Sequence, residues 1–151
     1  MQRRIADIEY EQLMLSRYTV AQHSSQDGID RSVYLLLSRI DGLGPMSIGE
    51  LSEAFRLDAS TLQRQTSAAL RAGFLERILD SDGGIARKFS LTELGKTQLS
   101  VVRGRSVDAL KRILVDWPDT DVNQFADLLQ RFNTSIEDYT KSLAPGADPQ
   151  P

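Results

Sequence analysis

The most constraining feature of this sequence is a three-residue break, Arg56-Leu57-Asp58, between two segments of helical periodicity. The first starts at Ser47-Ile48-Gly49-Glu50, where the serine and the glutamate three residues later match a capping box that satisfies free amides at a helix start. It runs to about Phe55. The second starts at Asp58, a good N-cap residue, and carries the buried stripe Leu62, Thr66, Ala69 and Leu70. It ends before Gly73, which suits the left-handed position just past a helix. So short a connection forces a sharp crossing, which is helix-turn-helix spacing. Phe74 to Leu79 then reads as a strand, Asp80-Ser81-Asp82-Gly83-Gly84 as a turn, and Ile85 to Leu91 as a returning strand. A β-hairpin directly after the second helix makes the unit a winged helix.

Longer helices flank it. From Ile5 to about His23 the residues Ile5, Ile8, Met14, Leu15 and Tyr18 recur at roughly helical spacing without proline or glycine. Asp30 N-caps a second helix with Val33, Leu36, Leu37 and Ile40 on one face, closed by Asp41-Gly42 and Gly44-Pro45. Thr92 caps a fifth helix whose stripe Leu99, Val102, Ala109, Ile113 and Leu114 runs to Trp117-Pro118, where it must stop. A sixth helix carries Val122, Phe125, Leu129, Phe132, Ile136, Tyr139 and Leu143, the most regular pattern in the chain. The expected fold is therefore mainly α with a small β-hairpin wing. Residues 1–143 form a single domain, with a winged-helix lobe at 30–91, dimerisation helices at 5–23 and 92–143, and a disordered tail at 144–151. Long amphipathic helices at both ends need more apolar surface than the small central unit offers, and a two-fold dimer supplies it.

Composition removes several classes of function. With 18 Lys+Arg against 21 Asp+Glu, the net charge of -3 excludes a histone-like polycation, so any affinity for nucleic acid must come from local patches. The absence of cysteine excludes disulfides, thiolate zinc sites, cysteine nucleophiles and thiol switches. No apolar run approaches the roughly 20 residues needed to cross a bilayer, and the first residues lack a signal-peptide core, so a cytoplasmic location is expected. No phosphate loop, catalytic dyad or nucleophile motif is present, and neither enzymatic activity nor a cofactor is expected. The single histidine, His23, has no second ligand nearby and reads as a structural group at a helix end rather than a metal ligand. Asp119, Asp121 and Asp127 lie near the start of a helix, where acids favour the positive end of the dipole.

The fourth helix is where chemistry concentrates. Ser60, Thr61, Gln63, Arg64, Gln65 and Ser67 are uncharged donors and acceptors or a cation, the side chains that read base edges in a major groove. Between Arg56 and Ser90 six cations face four anions, a local +2 inside an acidic chain. A merely solvated polar face has the same composition; the helix-turn-helix frame and its wing favour DNA.

The runs Met46-Ser47-Ile48-Gly49-Glu50-Leu51-Ser52, Leu57-Asp58-Ala59-Ser60-Thr61-Leu62-Gln63-Arg64, Leu70-Arg71-Ala72-Gly73-Phe74-Leu75-Glu76-Arg77 and Leu91-Thr92-Glu93-Leu94-Gly95 resemble, in order and spacing, the multiple-antibiotic-resistance (MarR) regulators. The resemblance covers about residues 5 to 143. It implies a homodimeric winged-helix regulator that binds a pseudo-palindromic double-stranded operator, often a repressor released by a small, commonly phenolic effector. By position, Ser60, Thr61, Gln63 and Arg64 fall in its recognition helix. The wing departs from the family: where an Asp-x-Arg signature is usual, this chain has Gly83, Gly84 and Ile85. Arg87 and Lys88 are the substitutes, and strand alternation lets only one of them face DNA. Tyr18, Tyr34 and Trp117 are the candidates for lining an effector cavity, although Trp117 beside Pro118 also suits simple packing at a helix corner. The missing wing arginine also leaves open a second reading, a winged-helix protein-interaction module that does not bind DNA.

Overall fold

A computed structural model describes residues 3–23, 29–79 and 87–143, the side chains of 20–23 excepted. The elements are α1 (Ile5–His23), α2 (Arg31–Leu43), α3 (Ile48–Phe55), α4 (Ala59–Arg71), β1 (Leu75–Leu79), β2 (Arg87–Leu91), α5 (Glu93–Ile113) and α6 (Asp119–Ser142). They fall into two units, Met1–Arg105 and Ser106–Pro151, with the division inside α5. Helices with a two-stranded antiparallel hairpin are the architecture expected from the sequence.

In the first unit the helix starts follow from short polar side chains. Asp30 accepts the Val33 amide at 3.0 Å and the Ser32 hydroxyl at 2.6 Å, which holds its carboxyl below the usual carboxylate range, the hydroxyl being the larger cause. Ser47 Oγ accepts from the Glu50 amide while Glu50 Oε2 accepts from the Ser47 amide, both at 3.2 Å, so the expected capping box is formed. The turn after α3 places Arg56 in the left-handed region at φ 55°, and Ser52 Oγ donates to the Leu57 carbonyl at 2.5 Å to close it. One cap differs from expectation. Asp58 stands at the N-cap of α4, but its side chain makes no capping bond; its main-chain carbonyl accepts from Thr61 and Leu62 at 3.0 and 3.2 Å.

The core is built from one face of α2 (Val33, Leu36, Leu37 and Ile40), Leu51 of α3, Leu62 and Ala69 of α4, Leu75, Phe89 and Leu91 of the hairpin, and Leu99 of α5, with Met46 before α3. Thr66 is the buried polar member, and its hydroxyl is satisfied by donating to the Leu62 carbonyl at 2.8 Å. The register pairs Leu75 with Leu91, Arg77 with Phe89 and Leu79 with Arg87, and Met46 extends the sheet by exchanging both main-chain bonds with Phe89. The first strand starts at Leu75, one residue after the expected 74, and the connecting residues 80–86, which include the expected start of the second strand at 85 and the wing positions 83–85, lie outside the described residues. Gly73 has φ +80°, as its position after α4 suggests. Thr92 ties the end of α4 to the start of α5: its hydroxyl donates to the Gly73 carbonyl at 2.5 Å and accepts from the Gly95 amide at 3.0 Å. At Gly95 a Cβ would lie 2.1 Å from the Phe74 carbonyl oxygen, so α5 and the start of β1 approach as closely as they do because that residue has no side chain.

Helix α1, in the same unit, has no buried residue among its described side chains; Ile5, Ile8, Leu13 and Leu15 are each at least half exposed. In the second unit α5 ends at Ile113, four residues before the expected stop, and a turn leads to Pro118. A residue preceding proline is driven out of the helical region, and this shortens the helix from its C-terminal side. Trp117 packs on Phe125 with ring centroids 5.8 Å apart. No residue of α6 is buried, and its whole apolar stripe from Phe125 to Tyr139 is 36% exposed or more. The tail from 144 onward lies outside the described residues.

Candidate nucleic-acid interface

Helix α4 divides cleanly. Leu62, Thr66 and Ala69 are buried, and on the opposite side Ser60, Gln63, Arg64, Ser67 and Arg71 line one shallow groove. Their spacing of three, four and seven residues from Ser60 or Arg64 keeps all five within a narrow arc at about 100° per residue. Ser60, Gln63 and Arg64 are exposed on it, and Arg64 Nη2 reaches the Thr61 hydroxyl at 3.5 Å from the flank. Gln65 is half-buried and lines neither this groove nor the next one; five residues from Ser60, it stands about 140° around the helix, beside the buried stripe.

A second groove adjoins the first through Gln63 and Ser67, and its other walls are the start of α3 (Ser47, Ile48, Gly49) and the base of the hairpin (Arg77, Arg87, Phe89). The two wing candidates separate here. Arg87 is exposed and turned into this groove, whereas Lys88, one residue on and on the other face of the strand, is drawn to Glu50 at 3.4 Å and is largely covered. Arg71 and Arg77 line the grooves as well, and the sequence reading did not single them out. Arg71 was detectable from its seven-residue offset from Arg64. Arg77 was not, because its facing depends on the register that pairs it with Phe89.

The aromatic candidates lie elsewhere. Tyr18 of α1 is half-buried, with its hydroxyl buried and without a hydrogen-bond partner among the described residues; Tyr34 of α2 packs against the core. Trp117 belongs to the second unit and is 47% exposed beside Phe125. Neither groove on the α4 face includes any of the three. The side chain of His23 lies outside the described residues. Among the described residues no group of three or more His, Asp or Glu side chains is placed to hold a metal ion, and no helix is long and apolar enough to cross a membrane.

A three-residue turn between α3 and α4 followed by an antiparallel hairpin defines a winged helix-turn-helix protein. No family model matches the chain. It is 34% identical over 134 residues to the uncharacterized HTH-type transcriptional regulator YxaD of Bacillus subtilis, covering 87% of this chain and 94% of that protein. Among solved structures it is similar to a MarR family protein from Bacillus stearothermophilus, with TM-score 0.69 and 20% identity over 90% of this chain and 99% of that one. It is also similar to a MarR family transcriptional regulator from Listeria monocytogenes complexed with a 26mer DNA, with TM-score 0.71 and 14% identity over the full length of both chains. The chain belongs to the HTH-type transcriptional regulators, and its fold is that of the MarR family structures.

Proposed function

We propose that this chain is a sequence-specific DNA-binding regulator in which α4 enters the major groove and Gln63 and Arg64 make the deepest base contacts. The observation that carries this reading is the single exposed face of α4, where Ser60, Gln63, Arg64, Ser67 and Arg71 converge opposite a fully buried stripe. Gln pairs two-pronged with adenine and Arg with guanine, while Ser and Thr reach bases or phosphates. The DNA held by the Listeria monocytogenes relative supports the same reading. On this reading residues 30–91 form the DNA-binding lobe and 5–23 with 92–143 the dimerisation helices. The exposed apolar stripes of α1 and α6 support that assignment, since a second copy covers them. Two copies of α4 then read a pseudo-palindrome with half-sites roughly 10 bp apart.

The protein acts in the cytoplasm, without enzymatic activity, as a repressor released by a small aromatic effector bound non-covalently, and the orphaned Tyr18 hydroxyl supports a ligand near α1. A gel shift with the DNA upstream of its own reading frame tests the central claim. A specific shift supports a regulator; no shift on that or on other duplexes supports a winged-helix interaction module instead.

A further inference from the structure

The hairpin is unevenly anchored. Toward its open end Leu75, Phe89 and Leu91 are buried in the core, and Phe89 exchanges two main-chain bonds with Met46, at 2.8 and 3.2 Å. Toward its turn the last two pairs of the register, Ile78 with Lys88 and Leu79 with Arg87, contain no buried residue, and Leu79 is 80% exposed. A two-stranded hairpin is marginal on its own in water, so this half needs a tie other than apolar packing. The Glu50 carboxylate supplies one. Its Oε2 accepts the Ser47 amide at 3.2 Å in the capping box of α3, and its Oε1 lies 3.4 Å from Lys88 Nζ.

Both oxygens of Glu50 are therefore committed, one to the start of α3 and one to the second strand. Together with the Met46 bridge to Phe89, residues 46–50 hold β2 at two successive positions, 88 and 89, whose side chains leave opposite faces of the strand. This joint connects two walls of the groove that contains Gln63 and Ser67, the start of α3 and the base of the hairpin. Lys88 is half-buried, and its ammonium is turned to Glu50 rather than into that groove beside Arg87. An acid beside a DNA-reading face repels the phosphate backbone. A Glu50 without a positioning role therefore weakens binding by its charge, whereas a Glu50 that braces the hairpin supports binding.

Resting on the reading of α4 given above, we propose that Glu50 and Lys88 are a positioning pair that braces the turn-side half of the hairpin against α3 and so fixes where the wing stands relative to α4. Lys88 itself makes no contact with DNA. The test is binding by the full chain, followed by fluorescence anisotropy over a salt series on its upstream duplex and on a random-sequence duplex of equal length. Glu50→Gln keeps a carbonyl oxygen for the Ser47 amide and removes the charge. It lowers affinity for the upstream duplex about two- to fivefold, the scale of a partly exposed ion pair. Lys88→Gln does the same with the slope of log K against log salt unchanged, the double variant is no weaker than either single one, and Lys88→Arg binds as the wild type does. Three results overturn the brace: tighter binding by Glu50→Gln, losses that add in the double variant, or a slope that falls in Lys88→Gln by about one unit per protomer, as it does when a phosphate contact is lost. If Glu50→Gln does not fold, the slope of Lys88→Gln and the recovery in Lys88→Arg decide the matter. The brace alone fails if Arg64→Ala loses the preference for the upstream duplex while Glu50→Gln binds as tightly as the wild type. A wild-type protein that binds neither duplex overturns the reading of α4 as well.

Discussion

At position 95 the backbone of α5 passes so close to Phe74 that any side chain meets a carbonyl oxygen rather than a movable group. Gly95→Ala is expected to cost about 1–3 kcal/mol or more, read as a lowered melting temperature, because main chain must shift to accommodate the methyl. A variant that melts like the wild type would show that the contact relaxes freely. Asp30 gives a pH-dependent counterpart. Its carboxyl is held low by the Ser32 hydroxyl and the Val33 amide, so its folded value lies below its unfolded one. The stabilisation it brings is complete above the ordinary aspartate value of about 3.9 and is lost as pH falls through the lower folded value. In urea melts, Asp30→Asn should therefore differ most from the wild type near neutrality, with the gap closing in acid; a constant gap down to the acid limit of folding contradicts this. Single residues also show where sequence reasoning stopped. Gln65 entered the candidate face by composition, though helical angle alone puts it beside the core stripe. Arg77 needed a strand register that no local pattern encodes.

Among the elements, those with local signals were legible in the sequence. The caps at Asp30 and Ser47 are set by neighbours within four residues and form as expected, and α1 spans Ile5–His23 as its periodicity predicts. The end of α5 was read four residues late, because the reach of Pro118 back into the preceding turn competes with an apolar stripe that continues to Leu114. The side-chain cap expected at Asp58 is absent, although its main-chain carbonyl accepts the first-turn amides as the N-cap carbonyls of α2 and α3 do. The Ser47 box fixes the start of α3, which is also a wall of the second groove. Ser47→Ala should cost about 1 kcal/mol in chemical denaturation, the usual value of such a cap. A loss well under half of that would show that Glu50 holds the helix start alone.

In the proposed regulator two copies pair so that two α4 helices meet DNA together. The sixth helix leaves Phe125, Leu129, Phe132 and Ile136 exposed along one stripe, a surface that a second copy would cover. Polar replacement of Leu129 and Phe132 should convert a dimer to monomers in sedimentation velocity, and a wild-type protein that sediments as a folded monomer at micromolar concentration would contradict the dimer. The most direct test of the central claim is binding of the upstream operator by a Gln63→Ala, Arg64→Ala double variant at fixed salt. Losing two-pronged base contacts costs on the order of 1–3 kcal/mol each, so specific binding should fall at least tenfold while affinity for random DNA changes far less. Unchanged operator binding by a folded double variant would contradict the assignment of α4 as the reader.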